Sequence, residues 1–186
     1  MTSVIAPVQG LRAGTWTIDP SHSEVSFTVR HLMLSKLRGA FRTFRGDITV
    51  NEDLQTSSVT AEIDMDSIDT RDANRDNHLR TKDFFEVEKF PTMTYRSTGV
   101  RTEGEDYVVD GELTLHGVTR PVSLALELGG VGPDPYGGIR AGFSAGTTIN
   151  RNDFGVDIKM PMNGGGVVVG DKISIHLEIE AVLDQS

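Results

Sequence analysis

The 186-residue chain is 37% hydrophobic and 24% charged, proportions that exclude wholesale disorder and suit one large β domain around a single core. A formal net charge of −9 without any Lys/Arg cluster excludes a nucleic-acid footprint and disfavours anionic membrane surfaces. The absence of cysteine excludes disulfides, thiolate metal sites and cysteine nucleophiles, and no stretch approaches the ~20 apolar residues of a membrane-spanning helix.

Residues 1–14 carry Val4, Ile5, Val8 and Leu11 but are broken by Pro7 and Gly10. They read as a flexible lead lacking the continuous apolar run of a signal peptide, so the expected compartment is the cytoplasm. Residues 15–183 are expected to form one domain. A strand is expected over 16–19, and in the next one Val25, Phe27 and Val29 alternate with Glu24, Ser26, Thr28 and Arg30. Strands follow at 39–44 and 46–50, and then Val59, Ala61, Ile63 and Met65 alternate with Thr60, Glu62 and Asp64.

Between residues 70 and 91 the period changes. Asp76 stands four before Arg80 as a helical ion pair, and Leu79, Phe84, Phe85 and Phe90 supply apolar surface, predicting one or two short helices. Strands resume at 93–100, 106–115, 122–129 and 139–149. The cleanest alternation comes last, with Ile173, Ile175, Leu177, Ile179 and Ala181 facing one way and Lys172, Ser174, His176, Glu178 and Glu180 the other. Turns such as Glu103-Gly104-Glu105 and His116-Gly117 are too short for parallel crossovers, so the roughly ten strand segments form an antiparallel sheet. The fold class is all-β with one short helical connection, which suggests a barrel with one end or flank covered.

Several motifs invite a chemical reading. Gly142-Phe143-Ser144-Ala145-Gly146 matches the nucleophile elbow of hydrolases, but an elbow needs a strand-turn-helix and this pentapeptide lies inside a strand pattern. Asp72, Asn74, Asp76 and Asp83 fall on calcium-loop positions, yet Asn77 replaces the required glycine, Asp83 the bidentate Glu, and Arg71, Arg75, Arg80 and Lys82 crowd the segment. A charged helix face is the preferred account. The five histidines include no H-x-x-x-H pair, so neither a metal nor a cofactor is expected. The register of Val25, Phe27 and Val29 places His31 on the inward face, as a satisfied core histidine or a polar group meeting a ligand head. Arg151 and Asp153 follow a strand, where the pair pins a loop or, over a barrel mouth, offers a forked donor to a ligand head.

Trp16, Ile18, Asp19, His22, Ser23, Val25, Phe27, Val29 and His31 together resemble the opening signature of the YceI-like, polyisoprenoid-binding family. Further blocks follow in the family's order: Gly39-Ala40-Phe41 with Phe44 and Gly46, Ser67-Ile68-Asp69-Thr70, the run from Arg75 to Phe85, Phe90-Pro91, Gly111 to Val122, Arg151-Asn152-Asp153-Phe154-Gly155 and Val169-Gly170-Asp171. The resemblance implies an extended, lipocalin-like antiparallel barrel, often dimeric, whose apolar cavity holds a polyprenyl chain or a similar long lipid. Many members resemble secreted or periplasmic proteins with a signal peptide, and the lead seen here departs from that pattern.

Strand register and the family pattern together name the expected ligand contacts. Phe27, Val29, Phe41, Tyr95, Phe143, Ile175 and Leu177 are expected along the hydrocarbon, and Phe84, Phe85 and Phe90 as a lid. His31, Arg151, Asp153 and Phe154 are expected at the mouth, with His22 a further mouth group. Ala61, Ala141, Ala145 and Gly111 supply room among the large side chains. The leading expectation is a binding, storage or transport protein for a long-chain lipid such as a polyisoprenoid, an isoprenoid quinone or a fatty-acid derivative. An enzyme working inside the barrel has only His31 to serve as acid or base. A packed interaction or stress barrel acting through its acidic outer face is the alternative.

Overall fold

The computed structural model describes residue 5 and residues 8–32, 34–156 and 169–185. Eleven antiparallel strands lie among the described residues, in the spatial order β1-β4-β5-β7-β8-β9-β10-β11-β2-β3-β6. They are β1 (Gly14–Ile18), β2 (Glu24–His31), β3 (Ser35–Phe41), β4 (Phe44–Val50), β5 (Ser58–Asp64), β6 (Ile68–Asp69), β7 (Thr92–Glu103), β8 (Asp106–Leu115), β9 (Val118–Pro133), β10 (Ile139–Asn150) and β11 (Val169–Leu183). β1 and β2 run end to end along β11, as do β3 with β4 and β5 with β6 along their neighbours, so the sheet amounts to eight bent staves. Trp16 pairs with Leu183 and Ile18 with Ala181, which closes the sheet into an eight-stranded antiparallel barrel. Closure removes most of the exposed edge that an open sheet would present.

Local chemistry places each bend. Pro20 has no N–H for a ladder, and Asp19 accepts from the Ser21 backbone N–H at 3.0 Å, so a tight turn separates β1 from β2. Asp64 does the same between β5 and β6, accepting from the Asp66 N–H at 3.1 Å. The expected strand 39–44 is therefore two strands meeting at residues 42–43, where the Arg42 N–H leaves the ladder for the Ser67 carbonyl, 3.1 Å away.

The helical segment holds α1 (Ala73–Leu79), capped by Asp72, whose side chain accepts from the Arg75 N–H at 3.1 Å. The expected ion pair between Asp76 and Arg80 does not form. Asp76 is buried and accepts from the Thr70 backbone N–H at 2.9 Å and from the Thr70 hydroxyl, because a buried carboxylate needs donors at short range. Arg80 turns instead to Asp66 at 3.3 Å and to the carbonyl of Ile68 at 3.2 Å. With Asp72 capping, Asp76 on Thr70 and Asp83 3.0 Å from His78 Nε2, the calcium-loop positions serve separate partners.

Two apolar clusters fill the molecule. The larger joins Phe41, Met65, Ile68, Phe84, Leu115 and Phe154 at the barrel end that carries α1. The smaller gathers Ile5, Trp16, Val50, Leu54, Ala141 and Ala181 at the opposite end. Trp16 is fully buried and its indole N–H reaches the Arg12 carbonyl at 3.0 Å. The lead is thus held at its described residues: Ile5 is buried, and Val8 and Leu11 pack on the same cluster, since their burial offsets the cost of ordering the segment.

Candidate ligand-binding site

Period-two alternation sends one side chain in two toward the barrel axis, and along most of β5, β9 and β11 these are aliphatic. They enclose a cavity of about 210 Å³. Val59, Ala61 and Ile63 line it from β5, Leu124, Leu126 and Leu128 from β9, and Ile175, Leu177 and Ile179 from β11. Val8, Leu11, Val50 and Leu54 bound it toward the amino-terminal end. A cavity with walls of this kind stays dry or takes an apolar guest, because water finds too few partners there.

Tyr95 brings one polar group to the wall, and its hydroxyl is already engaged, 2.9 Å from the Val122 carbonyl and 3.3 Å from that of Val109. Burial, with the nearby Asp110 charge adding to it, pushes the Tyr95 phenol up to about 12, so the group stays neutral. Gly111 does not open the cavity as expected. The Tyr95 ring covers it, and a Cβ there would lie 2.5 Å from the phenol carbon and oxygen. Gly111→Ala should therefore displace Tyr95, break its carbonyl contacts and cost about 2–3 kcal/mol, read as a shift in the urea midpoint at constant slope. Ala61 and Ala145 do line the cavity, whereas Ala141 packs in the Trp16 cluster.

Of the expected contacts, Tyr95, Phe143, Ile175 and Leu177 line the cavity, and the other eleven, His22 included, do not. Phe27 and Phe41 face inward but pack against each other, ring centroids 5.6 Å apart and planes tilted by 42°, with Phe27 filling the space above Gly39. Val29 is buried at the same end of the barrel. Phe84 and Phe154 are buried members of the larger cluster and Phe85 packs on it, while Phe90 stands 4.8 Å from the His116 ring. These aromatics plug one end of the barrel instead of forming a lid, because burial against one another removes more apolar surface than lying over an opening. His31 is half-buried at the end of β2, opposite Ser35 and Val169.

Arg151 is 5% exposed and serves the loop. It donates to the carbonyls of Val156 at 2.7 Å, Gly170 at 3.1 Å and Val169 at 3.4 Å, and pairs with Asp171, not Asp153, at 3.0 Å. A guanidinium so occupied has no free fork for a ligand head. Asp153 is exposed, and its backbone carbonyl accepts from Arg120 Nε at 3.1 Å. Ser144 lies within β10 and donates to Glu178 Oε2 at 2.7 Å, so it occupies a strand and not an elbow.

His22 sits at the bend between β1 and β2, its Nδ1 2.9 Å from Asp19 and 3.8 Å from Glu180. Arg140 already bridges those carboxylates, donating to Asp19 at 2.8 Å and to Glu180 at 3.3 Å, and also to Asp134 at 2.8 Å. Hydrogen bonds from Ser21, Arg140 and His22 hold the Asp19 carboxyl far below its usual range. Its folded value is depressed, so the stability it adds is complete above the unfolded carboxylate range and declines as pH falls below it. Asp19→Asn should flatten that acid limb, costing about 1–2 kcal/mol at pH 6 and progressively less at pH 3, as measured by urea titration at each pH.

Sequence reasoning missed Val8, Leu11, Leu54, Val59, Tyr107 and the row Leu124, Leu126 and Leu128. The β9 row carried a signal, since its leucines alternate with Ser123, Ala125, Glu127 and Gly129. Val8 and Leu11, in a segment without periodicity, carried none.

Fold and cavity define an up-and-down, lipocalin-like barrel around an apolar lumen. The family model for the YceI-like domain matches residues 16–181, and the chain belongs to that family. It is 47% identical over 138 residues to a UPF0312 protein of Photorhabdus laumondii, covering 74% of this chain and 72% of the relative. It is 44% identical over 136 residues to protein YceI of Salmonella newport, covering 73% and 71%. Among solved structures, Burkholderia cenocepacia BcnA superposes with a TM-score of 0.75 at 22% identity, covering 88% of this chain and 98% of that one. A Campylobacter jejuni YceI protein gives 0.73 at 28% identity, with 84% and 90% covered. A polyisoprenoid-binding domain of Saccharophagus degradans, implicated in plant cell wall breakdown, gives 0.67 at 15% identity, with 93% and 100% covered.

Proposed function

We propose that this protein binds one long-chain apolar lipid inside the barrel, as a carrier or store and not as a catalyst. The observation that carries the reading is the lumen itself, a cavity of about 210 Å³ lined by aliphatic and aromatic side chains, among them Tyr95, Phe143, Ile175 and Leu177. A slim hydrocarbon matches the bore of an eight-stranded barrel, and each methylene buried contributes about 0.8 kcal/mol against water. A polyisoprenoid is the favoured ligand class, supported by the likeness in fold to the Saccharophagus degradans domain that binds one. Against catalysis, the Tyr95 hydroxyl is tied to backbone carbonyls and Ser144, which does not line the lumen, donates to Glu178, so neither is placed as an activated nucleophile.

Native mass spectrometry of freshly purified protein, followed by solvent extraction, tests the reading. A stoichiometric long-chain adduct, or uptake of added polyprenol, is the expected result. A protein that stays bare after incubation with polyprenols, quinones and fatty acids would overturn it in favour of a packed barrel acting through its acidic surface. Sedimentation of the same sample tests the expected homodimer, and fractionation of cells producing the full chain tests the expected cytoplasmic location.

A further inference from the structure

The barrel wall is not hydrogen-bonded along its whole height. The β8–β9 ladder runs down to Leu115 and Val118, and the β10–β11 ladder down to Asn150 and Lys172. Between them, the β9–β10 ladder stops at Ala125 opposite Gly146. Below that point residues 118–124 of β9 pair with β8 and residues 147–150 of β10 pair with β11, but they do not pair with each other. A groove on the outside of the barrel lies in this split.

The groove adjoins the lumen, since Val122 and Thr147 line both. Its outer rim differs in character from the apolar interior. Arg120, Thr147, Asn150 and Lys172 bring donors to it, while the Ser123 hydroxyl is already given to Asp110 at 2.6 Å. Arg120 belongs to the inward register, opposite Leu113, yet is exposed, and its Nε is held by the Asp153 carbonyl at 3.1 Å. Holding Nε there leaves the two terminal amino groups of the guanidinium for another acceptor. Lys172 is exposed and forms no ion pair among the described residues, Asp153 is the one acidic residue that lines the groove, and Asp110, which reaches the rim at Ser123, is neutralised by Arg101 at 2.8 Å. In a chain of net charge −9, this is a local excess of positive charge beside an apolar tunnel.

We propose that the split between β9 and β10 seats the anionic headgroup of the bound lipid, a phosphate ester on a hydrocarbon tail, with Arg120 and Lys172 as its partners. The proposal rests on the lumen-binding reading: the tail lies among the leucines of β9 and β11, and the head emerges sideways past Val122 and Thr147. An anion at that place accepts from a guanidinium and an ammonium while remaining in contact with water, so it avoids the cost of burying charge in the lumen.

The test uses the whole protein with two ligands of equal chain length, a polyprenyl monophosphate and the free polyprenol, each partitioned between protein and neutral phosphatidylcholine vesicles. The phosphate ester should be retained about tenfold better than the alcohol at low ionic strength, with the gap narrowing in salt. Arg120→Gln, which keeps a donor for the Asp153 carbonyl, and Lys172→Gln should each reduce the phosphate ester toward the alcohol and leave polyprenol retention unchanged. Equal retention of both ligands, or a preference that survives both variants, overturns the headgroup seat and leaves lumen binding intact. If neither ligand binds, the lumen reading itself falls and the seat with it. If inorganic phosphate alone occupies the groove as tightly as the lipid phosphate, the groove serves a free anion and the proposal is overturned.

Discussion

Ala145→Trp should lower lipid retention on the order of 100-fold and leave a folded barrel. Ala145 faces the lumen in β10, paired with Leu126 of β9 on one side and Leu177 of β11 on the other, and all three line the cavity. An indole projected from this position enters empty space, so the cost to stability stays at the lower end of the 1–3 kcal/mol typical of overpacking, about 1 kcal/mol. The same indole displaces ligand equivalent to roughly four methylenes, about 3 kcal/mol, and lowers affinity on the order of 100-fold. Thr60→Trp, at an exposed position on the outer face of β5, is the control and should bind as the parent protein does. Vesicle partition of polyprenol with both variants gives the answer. Full retention by the Ala145 variant would place the lipid outside this lumen.

Arg151→Ala should cost about 3–5 kcal/mol, the usual result of removing one partner from a buried charge network. The loss strands the carbonyls of Val156, Gly170 and Val169 and leaves Asp171 without its cation. For a chain of this size the melting temperature should fall by roughly 10 °C. Arg151→Lys recovers only a fraction, because a single ammonium cannot reach acceptors spread around a planar fork. Lipid affinity measured well below the melting transition should be unchanged, since Arg151 does not line the lumen. A variant that melts normally but has lost the lipid would return Arg151 to the role of headgroup donor.

The sequence shows clearly which face of a strand turns inward, and much less clearly how far along the axis an inward residue sits. Phe27, Phe41, Phe143 and Leu177 share the inward phase, and nothing in their spacing separates them. Pairing does: β2 against β3 brings Phe27 over Gly39 and next to Phe41, which fills that level. β9, β10 and β11 instead set Ala145 between two leucines and leave the space open. The residues around Arg151 were legible as a motif but not as a role, because an arginine followed by an asparagine and an aspartate reads alike whether it faces a ligand or a ring of carbonyls.

By itself, then, the sequence determined the antiparallel all-β class, the helical interruption before β7, the inward faces and the family, because alternation, turn chemistry and ordered blocks are local properties of a chain. Strand β8 shows how far this reaches, with expected bounds of 106–115 and observed bounds of Asp106–Leu115. Only the tertiary structure decided which end of the barrel is plugged, that Val8 and Leu11 border the lumen, and that the wall splits between β9 and β10. Each of these depends on register between distant strands and on packing volumes, energies that arise when separate segments meet and that leave no periodic trace in either one.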